Sequence, residues 1–246
     1  MELRETFNTI AGQYEKFRPG YNGEILDAIF KYKRLDGSCN ILEIGCGTGK
    51  ATELLAGLSC RIICLDIGEN MIKIAAEKFK SHKNIEFTKA EFENFQSDIK
   101  YDMIITASAY HWIKQPQGDE NVKKLLRPDG IFVIVRKFQD DEGNDFFIES
   151  RRIYKKYFNE EKPKKSRDFV MNTEKFEMLG KCEYPREIEY ETDEYLRLIF
   201  TYSDHIAMKE PEKTMFYEEL RSLINSKYAG RVRKRFINIV EIGRPL

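Results

Sequence analysis

The chain has 246 residues, enough for one α/β domain with a substantial core and short for two independent ones, so a single domain over 1–246 is expected. Its 41 Lys+Arg balance 41 Asp+Glu, with 41% hydrophobic residues, which leaves no global positive field to recruit a nucleic acid. No apolar run reaches the roughly 18 residues of a membrane helix, and the polar start MELRETFNTIAGQYEKFRPGY lacks the apolar centre of a signal peptide, so a soluble cytoplasmic protein is expected.

Residues 1–22 read as a polar N-terminal cap segment, 23–136 as a cofactor-binding core, and 137–246 as substrate-side helices and final strands. In the core, apolar spacing predicts a helix over 23–33, a strand over 40–44, a glycine turn opening a helix over 48–57, and a strand over 61–65 that ends at Asp66. A helix over 70–81 follows, then strands near 85–88, 102–106 and 130–135, the last after the turn Arg127-Pro128-Asp129-Gly130. Strands alternating with helices predict a Rossmann-like, doubly wound α/β sheet, which seats ligands beyond the carboxyl ends of its strands. Further on, helices are predicted over 144–158, 192–202 and 212–226, strands over 181–190 and 231–242, and a charged loop over 160–167. The basic run in that loop, Lys162–Arg167, reads as a solvated face. The five cysteines, Cys39, Cys46, Cys60, Cys64 and Cys182, show neither CxxC pairs nor metal-ligand spacing, so reduced structural thiols and no metal are expected.

The chemistry concentrates at Ile41-Leu42-Glu43-Ile44-Gly45-Cys46-Gly47-Thr48-Gly49, a buried strand running into a glycine turn and a helix. Glycines let the backbone turn sharply and let a ligand pack where side chains would otherwise stand. Dinucleotide sites want GxGxxG, whereas here position 50 is Lys and the pattern is GxGxG. Glu43, two residues before the first glycine, would repel a pyrophosphate but suits a ligand carrying an ammonium and a sulfonium, which describes S-adenosylmethionine. Asp66 ends the second strand, where a carboxylate can accept from both ribose hydroxyls; the alternative is an N-cap or surface acid. After the third strand, Glu91 is placed to accept from an adenine amino group and the Phe92 backbone N–H to meet a ring nitrogen, unless Glu91 and Glu93 are simply solvated.

Glu43 to Gly49, Asp66 with Asn70-Met71, Ala90-Glu91-Phe92, Tyr101-Asp102 and Leu126 to Gly130 together resemble the class I methyltransferases. More narrowly, Tyr14 to Tyr21 (YEKFRPGY), Ala107 to Trp112 (ASAYHW) and Tyr195 to Ser203 are similar to segments of the type 11 methyltransferase family, in its branch similar to trans-aconitate methyltransferases. The resemblance implies a seven-stranded sheet, mostly parallel with an antiparallel last strand, for which 231–242 is the candidate, plus helical cap elements. It also implies that Gly45, Gly47 and Gly49 line the methionine side of S-adenosyl-L-methionine, with Cys46 also among the cofactor-binding residues. Asp66 would hold the ribose, with Ile67 beside it among the cofactor-binding residues, Met71 near adenine and Ser108 facing the methionine moiety, with Arg18 on the cofactor carboxylate. One departure is that the glycine-aspartate often seen before the adenine contact is Ala90-Glu91 here.

The reaction implied is methyl transfer to a small-molecule acceptor, O- or N-methylation including a carboxylate, by a monomer or homodimer that binds no nucleic acid and no membrane. A carboxylate acceptor needs no base, whereas a hydroxyl or protonated amine does. His111 is either a general base, a substrate hydrogen-bonder or a packed structural histidine. Tyr14, Tyr21, Tyr110, Trp112, Arg136 and Tyr202 are the substrate-side candidates; Arg136 is either a bidentate donor to an anion or an exposed arginine. Two rival readings share these features: an NAD-type oxidoreductase, and a non-catalytic cofactor-binding regulatory module.

Overall fold

Seven strands carry the chain's apolar runs: β1 (Asn40–Ile44), β2 (Arg61–Asp66), β3 (Ile85–Lys89), β4 (Tyr101–Ala107), β5 (Leu126–Asp140), β6 (Phe176–Glu191) and β7 (Arg231–Pro245). In the computed structural model, which describes residues 3–158 and 170–246, they form one sheet in the order β3-β2-β1-β4-β5-β7-β6. The predicted charged loop with its basic run at 162–167 lies outside the described residues. β1 pairs in parallel with β2 and β4, β2 with β3, and β4 with β5. β7 is antiparallel: side-chain partners climb along β5 from Arg136 to Asp140 as they descend along β7 from Glu241 to Arg235.

The period of two explains why the central strands read as unbroken apolar runs. Ile41, Ile62, Cys64, Met103, Ile105, Ile131 and Val133 fall on one face and one core cluster. Leu42, Ile63, Leu65, Ile104, Phe132 and Ile134 fall on the other. A sheet buried on both faces has no polar face to show in its sequence. The chain lays down β1, β2 and β3 outward and then returns to β4, so strand order reverses between β1 and β4, where open α/β sheets bind ligands.

The described residues gather into two compact units. One, the sheet unit, comprises 19–137, 170–184 and 238–246 and holds both clusters just named. The other, the aromatic unit, comprises 3–18, 138–158 and 185–237. Its core joins Phe146, Phe147, Tyr195, Leu198, Phe216 and Leu220 from the helices Asp145–Tyr157, Thr192–Phe200 and Glu212–Lys227. Asn144 opens the first of these by accepting from the Phe146 N–H (3.1 Å), and Glu191 and Glu194 form a capping box on the second.

Four segments differ from the sequence expectation. The helix expected over 48–57 is regular only over Thr52–Leu55, because Gly49 is held at φ +83°, outside the helical region. β5 and β6 begin earlier than expected, at Leu126 and Phe176. A helix at Gln117–Leu125, for which no element was expected, carries Asp119 and Glu120 in its first turn and Lys123 and Lys124 in its last, matching the helix dipole. Among the described residues, no helix is long and apolar enough to cross a membrane, and no cluster of metal-ligating side chains occurs.

Candidate functional site

The turn after β1 uses its three glycines differently. All have positive φ: +69° at Gly45, +56° at Gly47 and +83° at Gly49. A Cβ on Gly45 would stand 2.4 Å from the Ala109 Cβ, and one on Gly49 would stand 2.6 Å from the Phe79 ring. Those two serve packing. A Cβ on Gly47 would meet nothing within 4 Å, so bare backbone faces open space there.

Backbone donors fix the acid at the end of β2. The Gly47 N–H donates to Asp66 Oδ2 and the Gly68 N–H to Oδ1, both at 2.8 Å. Each oxygen retains a lone pair, so a pair of hydroxyls can still be received. Burial pushes the Asp66 carboxyl upward, and the N–H groups of Gly68, Gly47 and Ile67 oppose that shift. Ile67 is half-buried beside it, and Met71 is buried within the first turn of the following helix.

Glu43 lies two residues from Ile41 and so on the same core face, where it is 1% exposed. Its Oε2 accepts from the Thr52 hydroxyl at 2.6 Å, with the Cys64 sulfur at 3.6 Å. Burial pushes its pKa up to about 7, against the pull of Thr52 and Cys64 and with a small push from the Asp66 charge. Burial likewise raises the thiol of Cys46, which leaves it protonated and unreactive.

After β3, the Ala90 N–H donates to the Asp66 carbonyl at 2.9 Å. Glu91 is held as well as solvated: Asn94 Nδ2 donates to its Oε2 at 2.7 Å, and the Lys114 ammonium lies 3.7 Å from its Oε1. Phe92 is buried and opens a short 3-10 turn, Phe92–Asn94. The Asn121 amide donates to the carbonyls of Phe92 (3.1 Å) and Glu93 (2.9 Å).

After β4, Ser108 sits at φ +55°, and its Oγ accepts from the Tyr21 hydroxyl at 2.9 Å. Lys137 fixes the approach of Tyr21 by donating to the carbonyls of Pro19 (2.5 Å) and Gly20 (2.8 Å), with its ammonium 4.2 Å from the Tyr21 ring centre. Tyr110 to Trp112 form a second 3-10 turn. Tyr110 is buried, and its hydroxyl donates to Asp119 Oδ1. The His111 ring lies 4.7 Å from the Trp112 ring, and burial pushes its pKa down to about 4, so the imidazole is neutral at neutral pH. Arg136 is neither exposed nor aimed outward as an unpaired donor: it donates to Glu241 Oε1 at 2.6 Å, and the Met171 N–H donates to the other oxygen at 2.9 Å.

The sheet unit therefore gathers Tyr21, Glu43, Gly45, Cys46, Gly47, Gly49, Asp66, Ile67, Met71, Glu91, Phe92, Ser108, Tyr110, His111, Trp112 and Arg136. Tyr14, Arg18 and Tyr202 belong to the aromatic unit. There the Arg18 guanidinium lies 4.3 Å from the Tyr202 ring centre and 5.4 Å from that of Tyr14, and donates from Nε and Nη2 to the hydroxyl and carbonyl of Thr201, both at 2.8 Å. Sequence reasoning passed over Lys137, Asp119, Asn121 and Glu241. The acids and lysines of helix Gln117–Leu125 were a legible signal for two of them; Glu241 gave none, because its partner lies 105 residues away.

Residues 41–130 match a family model described as a methyltransferase domain. Over 119 residues the chain is 34% identical to malonyl-[acyl-carrier protein] O-methyltransferase 2 of Ilyobacter polytropus, covering 47% of this chain and 44% of that protein. Over 137 residues it is 30% identical to malonyl-[acyl-carrier protein] O-methyltransferase of Bacillus anthracis, covering 53% and 51%. The chain spans about half the length of the curated relatives it matches. In three dimensions it resembles a solved protein of Anaeromyxobacter dehalogenans assigned to the type II methyltransferases, with a TM-score of 0.67 and 20% identity over 93% of this chain and 98% of that one. That last likeness is one of fold.

Proposed function

We propose, from the premise that this chain carries the methyltransferase domain of the class I, S-adenosylmethionine-dependent kind, that the protein transfers a methyl group to a carboxylate oxygen of a small-molecule acid. The observation that carries the cofactor part is the contrast within the glycine turn. Gly45 and Gly49 are filled by neighbours, while Gly47 presents bare backbone to open space beside an Asp66 already oriented by two N–H donors. That is the shape and chemistry a nucleoside with an attached amino acid requires.

When bound, the cofactor supplies a methyl group already activated by its sulfonium. What is left to the protein is alignment and exclusion of water, and alignment of reactants can be worth roughly 7–11 kcal/mol. In this reading Asp66 receives the ribose hydroxyls, Met71, Glu91 and Phe92 flank the adenine, and the backbone at Gly47 and the turn at Ser108 border the methionine portion. Glu43 does not reach the surface, and a cation bound above the turn would favour its ionised form.

The carboxylate acceptor is supported from two sides. His111, with its pKa pushed down to about 4, is a weak base but a serviceable hydrogen-bonding group, which suits an acceptor that arrives already ionised. The two relatives named above are O-methyltransferases by name. The test is to titrate the protein with S-adenosylhomocysteine by calorimetry, then incubate it with methyl-labelled cofactor and a panel of small mono- and dicarboxylic acids. The expected product is a methyl ester that mild base hydrolyses. A labelled product stable to base would refute the carboxylate, and a protein that binds no S-adenosylhomocysteine would refute the cofactor reading itself.

A further inference from the structure

Helix Gln117–Leu125 buries two polar side chains on its inner side, Asp119 at 2% and Asn121 at 9% exposure. Buried polar groups are costly unless paired, and both are paired to segments that follow strands. Asn121 donates its amide to two successive carbonyls, Phe92 and Glu93, in the 3-10 turn after β3. Asp119 receives the Tyr110 hydroxyl on Oδ1, in the 3-10 turn after β4, and the Asn172 amide on Oδ2 at 3.0 Å. The helix is seated tightly enough for this: a Cβ on Gly118 would stand 2.3 Å from Ile113 Cγ2, directly after the Tyr110–Trp112 turn.

We propose that Asp119 and Asn121 are positioning residues that make this helix a two-pronged clamp. Asn121 holds the segment carrying Phe92 at the adenine side, and Asp119, through Tyr110, holds the turn carrying His111 and Trp112. The two prongs contact different turns, so they act separably: one sets cofactor affinity, the other the posture of the aromatic turn. This rests on the reading of the β3 end as the adenine side.

The chain supplies its own reporter, because Trp112 is its single tryptophan. Calorimetric affinity for S-adenosylhomocysteine and Trp112 fluorescence, with acrylamide quenching, are measured on the full chain and its variants. Asn121→Ala is expected to weaken S-adenosylhomocysteine binding about tenfold, the scale set by two lost buried hydrogen bonds, with Trp112 emission unchanged. Tyr110→Phe and Asp119→Asn are expected to shift Trp112 emission and raise its quenching, with affinity within about threefold of the parent protein. Asn121→Ser serves if the alanine variant does not fold. A folded Asn121 variant with unaltered affinity overturns the proposal. So does a pattern in which every variant moves both readouts together, since that is the signature of a helix that is merely loosened. If the parent protein itself fails to bind S-adenosylhomocysteine, the cofactor reading falls instead, and only the Trp112 arm still bears on the clamp.

Discussion

The two units anchor their most buried charged groups by different means. In the sheet unit, Glu43, Asp66, Asp119, Asn121 and Glu241 each have named partners, several of them backbone groups whose positions follow from the strands. In the aromatic unit, Lys234 is 2% exposed and meets side chains, Asp141 at 3.0 Å and the Phe147 ring at 4.3 Å. Buried hydroxyls without a hydrogen-bond partner among the described residues occur in both, at Thr48 and Thr106 in the sheet unit and at Tyr190 and Tyr202 in the aromatic unit. A site built on backbone donors is fixed by the fold and tolerates little. One walled by side chains can be repacked, because its polar atoms are not tied to the sheet.

The sharpest way to break that contrast is steric. Gly45→Ala combines a left-handed φ with a methyl placed 2.4 Å from Ala109, so it should cost roughly 2–5 kcal/mol of folding stability. Gly47→Ala has the same kind of φ but open space and should cost only about 1–2 kcal/mol, while cofactor binding falls more than about tenfold because the methyl occupies the approach. Urea denaturation and calorimetry separate the two outcomes; equal stability losses would remove the distinction between packing and cradle glycines.

A second test uses Glu43. Its pKa is raised from the usual 4.5 to about 7 in the folded state, so the native protein holds a proton that the unfolded chain releases. Stability is therefore unaffected by this group below pH 4.5, and falls as pH rises from there to about 7, by up to about 3 kcal/mol. Glu43→Gln keeps an acceptor for Thr52 and should flatten that fall. A bound cation favours the ionised carboxylate, so cofactor affinity should rise with pH across the same window in the parent protein and not in the variant. A parent protein whose urea midpoint climbs from pH 5 to pH 8 more than the variant's does would contradict this account.

Asp66→Ala should weaken cofactor binding at least about tenfold and free the Gly47 and Gly68 N–H groups to water; an unchanged affinity removes Asp66 from the site. The smallest effects belong to the other unit. Tyr190→Phe and Tyr202→Phe delete unpartnered hydroxyls, so each should be neutral or stabilising by up to about 1 kcal/mol. Thermal melts showing a clear loss in either would mean the hydroxyl is satisfied after all.

Much of the fold was legible because its signals are local. The strands at 40–44, 61–65 and 85–88 are apolar runs bounded by turn residues, and the structure places them at Asn40–Ile44, Arg61–Asp66 and Ile85–Lys89. The helix over Gln117–Leu125 escaped notice because its buried face includes Gly118, Asp119 and Asn121, which do not register as apolar period. Within the site, the glycines and Asp66 were read from position alone, being consecutive with the strands that present them. The partners of Tyr110 and Arg136 were not, since each lies on another element.

The sequence by itself determined the two-faced central strands, the glycine turn and the acid that closes β2, because these depend on alternation and backbone freedom within a few residues. Only the tertiary structure decided that Glu43 lies beneath the turn against Thr52 and Cys64, that Asp119 holds Tyr110, and that Glu241 neutralises Arg136. Which side chains meet is set by strand order and by how closely a helix can approach. Periodicity reports which face a residue occupies and carries no information on what that face will touch.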